Sequence, residues 1–216
     1  MFASHPHPLI DTFARERCSA ILRTPHARAV GPAMQAAIDG GFRIVEFTLT
    51  SPGALDEIAR FARQKDLVVG AGTVLTTLDA ERSIDAGARF IVSPVADPEV
   101  IRWCVEREIL VIPGCFTPTE MLMAHRLGAP IVKLFPGPAE GPAYVRSCRL
   151  PLPFLRIFPT AGVTEDNVAA WLAAGSFGVG WVGALFLDED LATGRFDAVR
   201  ARAQRMIEKT RATVRA

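Results

Sequence analysis

The sequence predicts a closed (β/α)8 TIM barrel, and three observations predict it. Eight short, nearly continuous apolar runs alternate with helical patterns along the 216 residues. Runs that are apolar on both faces suit a parallel sheet covered by helices rather than an antiparallel sheet with one wet face. The runs recur at roughly 19–26 residues, close to one strand–loop–helix unit. Gly41, Gly87, Gly128 and Gly175 each end a helical pattern just before a strand, about two units apart, like an internal repeat. Eight such units give one barrel domain over residues 1–216, at the small end of the size range for this architecture. The competing doubly wound sheet would carry G-x-G-x-x-G after its first strand, and the chain has none there.

Taken in order, residues 8–17 read as a short N-terminal helix with Ile10, Phe13 and Ala14 on one face. A strand over 19–23 ends at Thr24-Pro25. A helix over 31–39 leads to a strand over 43–49. Pro52 opens the next helix at its first turn, where a missing N–H costs least. The remaining strands are 67–74, 90–94, 109–113, 131–136, 155–159 and 177–180, with helices between them. Residues 196–215 form an Arg-rich C-terminal amphipathic helix that turns Phe196, Val199, Met206 and Ile207 toward the body.

Composition excludes several classes of partner. The chain has 24 basic and 23 acidic residues and no basic block, which argues against nucleic acid or an anionic membrane surface. No apolar run is long enough to span a bilayer, and residues 1–6 lack the charged-then-apolar order of a signal peptide, so a cytoplasmic protein is expected. Cys18, Cys104, Cys115 and Cys148 form no C-x-x-C pair and read as small buried hydrophobes; Cys115, at a strand end, is the thiol to check. The histidines, His5, His7, His26 and His125, offer no zinc-like pair at a strand end, so no metal is expected.

Barrel active sites lie at the C-terminal ends of the strands. Only three lysines occur, and Lys133 alone sits within an apolar run, Ile131-Val132-Lys133-Leu134-Phe135. Burial lowers a lysine pKa and frees a nucleophilic amine, although a snorkelling or ion-paired lysine would give the same pattern. Glu46 lies between Val45 and Phe47, where an unpaired carboxylate is costly. It is either a general acid/base or half of an ion pair with Lys133 or Arg23. Arg23, at the end of the first strand, is either a fork for a substrate carboxylate or a cation that caps the barrel. Side chains alternate along a strand, so Lys133 and Phe135 share one face of their strand, as do Glu46, Thr48 and Thr50 of theirs. If that face is the barrel lumen, the acid, the amine and a guanidinium converge on one cavity.

Several stretches, in order and spacing, resemble a known family. They are Val45-Glu46-Phe47-Thr48-Leu49-Thr50, Gly70-Ala71-Gly72-Thr73-Val74, Ile91-Val92-Ser93-Pro94, Ile112-Pro113-Gly114, Thr117-Pro118-Thr119-Glu120, Val132-Lys133-Leu134-Phe135-Pro136 and Pro159-Thr160-Ala161-Gly162-Val163. The chain resembles the class I aldolases that cleave 2-keto-3-deoxy-6-phosphogluconate, its 6-phosphogalactonate analogue or 4-hydroxy-2-oxoglutarate. The resemblance implies a 2-keto-4-hydroxy acid as substrate, pyruvate as product, no cofactor beyond a covalent lysine imine, and a homotrimer. It implies that Lys133 forms the imine, that Glu46 shuttles protons, that Thr73 and Pro94 line the keto-acid pocket, and that Phe135 stands beside the Schiff base.

Two departures from the family bear on the substrate. Many members carry an arginine where this chain has Thr50; galactonate-type members instead keep one at the end of the first strand, as Arg23 is here. The phosphate-binding turns correspond to Thr160-Ala161-Gly162, where Ala161 replaces a glycine, and to the Gly183-Ala184 segment, which puts in bulky Val182 and lacks the usual serine after the glycine. That raises a smaller or non-phosphorylated substrate as an option. Other functional classes are a phosphosugar isomerase or epimerase, disfavoured by the lack of strand-end histidines, and a silent ligand-binding barrel, which would have little reason to bury both Lys133 and Glu46.

Overall fold

The computed structural model describes residues 6–215; Met1 to His5 and Ala216 lie outside that range, as do the side chains of Val214 and Arg215. The chain opens with α1 (Leu9–Glu16) and β1 (Cys18–Leu22). A 3-10 turn (Ala27–Ala29) and α2 (Val30–Asp39) lead to β2 (Ile44–Thr48). There follow α3 (Ala54–Phe61), β3 (Val68–Gly72), α4 (Thr77–Asp85), β4 (Phe90–Val92), α5 (Pro98–Glu106), β5 (Leu110–Ile112) and β6 (Gly114–Cys115). The rest is α6 (Pro118–Arg126), β7 (Val132–Leu134), α7 (Pro142–Arg149), β8 (Ile157–Pro159), α8 (Val168–Ala173), β9 (Val179–Trp181), α9 (Asp188–Thr193) and α10 (Phe196–Arg215).

All strand pairs are parallel, but they form two sheets: β5-β4-β3-β2-β1-β9 and β6-β7-β8. The expected fifth strand stops at Ile112, and a further short strand, β6, follows Pro113, which has no N–H to give to a ladder. The outcome is therefore coarser than the single eight-stranded ladder the sequence predicts: an α/β fold with helices around a curled parallel sheet.

Two apolar layers fill it. One lies between strands and helices and includes Val45, Phe47, Val69, Ile91, Val132 and Leu134. The other lies inside the curl and includes Ile44, Val68, Phe90, Leu110, Ile131 and Phe158. The N-terminal helix closes the inner layer from below: Phe13 meets the rings of Phe90 and Phe158 edge-on, at 5.3 and 5.8 Å. Leu9 and Ile10 accompany it, whereas Ala14 is exposed, so the buried face is turned slightly from the one expected. Pro52 does not begin a helix. Ser51-Pro52-Gly53-Ala54 is a turn closed by Ala54 N–H to Ser51 O at 3.3 Å, with Gly53 at φ 69°, so α3 starts at Ala54.

The repeating glycines behave as expected: Gly41, Gly87, Gly128 and Gly175 all have φ between 95° and 115°, beyond the reach of other residues, just after a helix. Val199, Met206 and Ile207 of α10 are buried and Phe196 is half-buried. Among the described residues no helix is long and apolar enough to cross a membrane.

Candidate active site

Strand alternation decides which residues enter the curl. Ile131 and Ile44 belong to the inner layer. Lys133 and Glu46, two residues on, therefore face the same interior, one step closer to the C-terminal strand ends. Both are buried, Lys133 with 4% and Glu46 with 2% of its surface exposed. Burial pushes the Glu46 carboxyl above its ordinary range, while the charges of Lys133 and Arg23 pull it back. Burial lowers the Lys133 ammonium, with Glu46 opposing and Arg23 reinforcing the shift. The two groups thus sense one another. Among the described residues neither makes an ion pair within 4.0 Å, and Glu46 Oε1 is buried without a hydrogen-bond partner. A structural ion pair, one of the two readings the sequence left open, is not formed. Lys133 Nζ lies 5.1 Å from the centre of the Phe135 ring.

Glycine makes the room that the carboxylate occupies. Glu46 pairs with Gly70 in the ladder, and a Cβ on Gly72 would strike the Glu46 carboxylate itself. A Cβ on Gly70 would enter the ring of Phe90. Glycines at alternate positions of β3 leave this space, and the sequence alone gives them no partner.

Arg23 stands exposed just past β1 and donates to Thr73 Oγ1 at 3.2 Å. Thr73 is held at φ 61°, a left-handed conformation that costs a β-branched residue about 1–3 kcal/mol. The backbone on both sides of Arg23 is tied to the end of β2. Thr48 Oγ1 donates to Leu22 O at 3.1 Å, and Thr24 N–H donates to Ser51 Oγ at 3.1 Å. Ser51 also shares a 3.1 Å hydrogen bond with Thr48. The sequence did not point to Ser51 or Thr24. Thr50, expected to bind substrate, is exposed and its hydroxyl bonds to Thr48 at 3.1 Å, which makes it part of this brace.

Pro94 is half-buried, and its carbonyl lies so close to Gly114 that a Cβ there would strike it. Thr160 continues the inward face of Phe158, and its hydroxyl is buried without a partner. Beside it, a Cβ on Gly180 would come within 2.9 Å of Thr160 Cγ2. Ala161 and Gly162 form the next turn, with Gly162 at φ 75° and its carbonyl accepting from Asn167 Nδ2 at 2.8 Å. Gly183 and Ala184 form the turn after β9, where Val182 O accepts from Leu185 and Phe186 N–H at 3.0 and 2.9 Å. Among the described residues the N–H groups of Ala161, Gly162, Gly183 and Ala184 donate no protein hydrogen bond.

Cys115 is buried and its thiol is pushed up to about 12 by burial, so it carries no thiolate near neutrality. Among the described residues no group of three or more His, Cys, Asp and Glu side chains is arranged to hold a metal ion. His7, His26 and His125 lie apart: His7 bonds Glu108 O, His26 bonds Asp188, and His125 packs on Phe154.

The chain is similar to known proteins. A family model described as KDPG and KHG aldolase matches residues 10–201. A probable 2-dehydro-3-deoxy-6-phosphogalactonate aldolase of Rhizobium meliloti (strain 1021) is 39% identical over 166 residues, which is 74% of this chain and 78% of the relative. A 2-dehydro-3-deoxy-phosphogluconate aldolase of Treponema pallidum (strain Nichols) is 30% identical over 205 residues, 93% of this chain and 96% of the other. A solved structure described as native KDPGal superposes with a TM-score of 0.84 at 32% identity, covering 92% of this chain and 96% of that one. With its buried lysine and carboxylate on one inward face, and with matches of this extent, the chain belongs to the KDPG and KHG aldolase family.

Proposed function

We propose that this aldolase cleaves a 2-keto-4-hydroxy acid through an imine on Lys133, releasing pyruvate and an aldehyde. The observation that carries the proposal is a buried amine that, among the described residues, makes no ion pair within 4.0 Å and whose pKa is lowered by its surroundings, with a buried carboxyl in its electrostatic reach. The neutral amine adds to the C2 ketone, and loss of water from the carbinolamine gives an iminium. The iminium accepts the electron pair of the C3–C4 bond when the C4 hydroxyl gives up its proton, and the aldehyde leaves. Glu46, ionised, takes that proton and later returns one to C3 of the enamine; hydrolysis then frees pyruvate. Arg23, fixed by Thr73 and by the Thr48–Ser51 brace, holds the substrate carboxylate, a positioning contribution. Phe135 and Pro94 border the reacting carbons.

The far end of the substrate is assigned to the turns at Thr160, Ala161, Gly162, Gly183 and Ala184, where the free N–H groups of the last four suit a phosphate. Arg23 at the first strand end and the galactonate-type relative favour 2-keto-3-deoxy-6-phosphogalactonate over the gluconate or the plain 4-hydroxy-2-oxoglutarate. A kcat/KM panel over these three substrates decides among them.

The covalent step has its own test. Pyruvate with borohydride should label the wild-type protein irreversibly, and Lys133→Ala should remove the label. A wild type that takes no label overturns the proposal.

We also read residues 1–216 as one domain in which both sheets close into a single barrel of eight strand positions. Phe177 N–H to Ile157 O at 2.8 Å supports this across the gap between β8 and β9, and on the other side Pro113, whose O accepts from Lys133 N–H at 2.9 Å, joins β5 directly to β6. A cytoplasmic homotrimer that needs no cofactor completes the reading. Exposed Leu75 and Val95 after β3 and β4, with Leu78 in the first turn of α4, are consistent with such an assembly, and light scattering measures it.

A further inference from the structure

The N-terminal ends of the strands, opposite the lysine, carry a second concentration of charge. A cavity of about 460 Å³ lies there, bordered by Arg17, Arg149, Arg156, Gly175, Ser176 and Phe177 among others, with no carboxylate in its lining. Three guanidiniums so placed repel one another unless a counter-charge sits between them. Among the described residues none of the three makes an ion pair within 4.0 Å. Each gives one hydrogen bond to a backbone carbonyl: Arg17 to Ser176 at 2.9 Å, Arg149 to Pro153 at 3.2 Å and Arg156 to Pro130 at 3.3 Å. The Nε groups of Arg17 and Arg149 are buried without partners, as is the hydroxyl of Ser176, which is 1% exposed. Such unsatisfied donors inside a folded chain call for an acceptor.

The chain spends local stability to keep these side chains in place. Arg17 takes φ 58° at the C-terminal end of α1, where glycine or asparagine is the easier residue. Gly175 lacks a side chain where a Cβ would strike the Arg149 guanidinium. The arginine backbones are fixed as well. Arg17 O accepts from Val179 N–H and Arg156 O from Val132 N–H, both at 2.9 Å. Arg17 and Arg156 are therefore mounted directly before β1 and β8, and Arg149 at the last residue of α7, rather than on a free loop.

We propose that this cavity is a binding site for a small organic phosphate, a monoester or diphosphate, separate from the strand-end pocket. Guanidinium forks match the oxygens of a phosphate, and three of them offset its charge. Phe177, over which Arg156 lies at 5.8 Å, and Leu155 give the organic part an apolar wall.

Inorganic pyrophosphate serves as the probe. It is titrated calorimetrically, at low ionic strength, into the wild-type protein and into the Arg149→Gln/Arg156→Gln double variant, with aldolase kcat/KM followed in parallel. The wild type should bind saturably and more weakly as salt is added; the double variant should lose about tenfold or more in affinity with kcat/KM unchanged. Equal affinity in the two proteins places the anion elsewhere and overturns the site, as does a wild type without saturable binding. Should the double variant not fold, phenylglyoxal modification of the wild type gives the answer. Pyrophosphate should slow the reaction at Arg149 and Arg156, and unchanged rates at both overturn the proposal.

Discussion

Lys133 and Glu46 hold each other's titration, and the sign of that coupling is testable. Burial lowers the Lys133 pKa, and the Glu46 carboxylate opposes the shift by stabilising the ammonium. The rate of borohydride trapping with pyruvate should therefore rise with pH to a midpoint below the ordinary lysine value of about 10.4. Glu46→Gln removes the opposing charge, so its midpoint should move lower still. A midpoint that moves up would show that the carboxylate does not face the amine. Gly72→Ala tests the space beside Glu46. Its methyl group would displace the carboxylate, and kcat should fall by about tenfold to a hundredfold while trapping by borohydride persists. Lys133 and Glu46 were legible in the sequence because a charge in an apolar strand announces its own cost. Gly72 and Thr73 were legible only as parts of a resemblance. An absent side chain acquires meaning from the strand beside it, and a positive φ leaves no trace in residue type when the residue is a threonine.

At the scale of elements, two joints set the site, and both escaped the sequence. The first ties β1 to β2. Ser51→Ala would leave Thr24 N–H without its acceptor and loosen Arg23, so KM should rise severalfold with kcat little changed. A fall in kcat alone would assign Ser51 a different part. No local pattern could have paired Thr24 with Ser51, since they meet only because the two strands are neighbours. The second joint follows β9. Asp190, 3% exposed, accepts from Arg202 and Arg195 at 2.6 and 2.8 Å, and Arg202 also donates to Leu185 O at 2.7 Å, fixing the turn that holds Gly183 and Ala184. The hydrogen bond from Arg202 holds the Asp190 carboxyl below its ordinary range. A depressed carboxyl contributes stability above its unfolded pKa of about 3.9 and loses it as pH falls through the folded value. Asp190→Ala should lower stability at neutral pH by about 3 kcal/mol, measured by urea unfolding, and that difference should shrink in acid. The short acidic helix α9 that carries Asp190 has too few residues to show a period, whereas α10, with 20 residues, was read with its buried face correct.

Across the whole molecule, the interior of the curled sheet is divided along its axis. The lower layer is apolar and stoppered by α1; the upper layer holds Lys133, Glu46 and Thr160, all on the same inward faces two residues further along their strands. The alternation of strand side chains produces both layers from one pattern, which is why the parallel α/β architecture could be read from apolar runs while its division into two ladders could not. One of its two breaks falls at Pro113, and a proline at a strand end and one within a strand look alike in sequence. Layering separates stability from chemistry. Phe13, 1% exposed between Phe90 and Phe158, touches the floor and none of the reacting groups. Phe13→Ala should therefore cost about 3–5 kcal/mol of folding stability, the usual loss for a buried aromatic ring, and lower the thermal midpoint. Measured well below that midpoint, kcat/KM should stay within about twofold of wild type, because Lys133 and Glu46 are held by the ladders of β7 and β2 rather than by α1. A variant that folds and yet loses kcat in proportion to its stability would show that floor and site form one cooperative layer, with the N-terminal helix setting the geometry of the lysine above it.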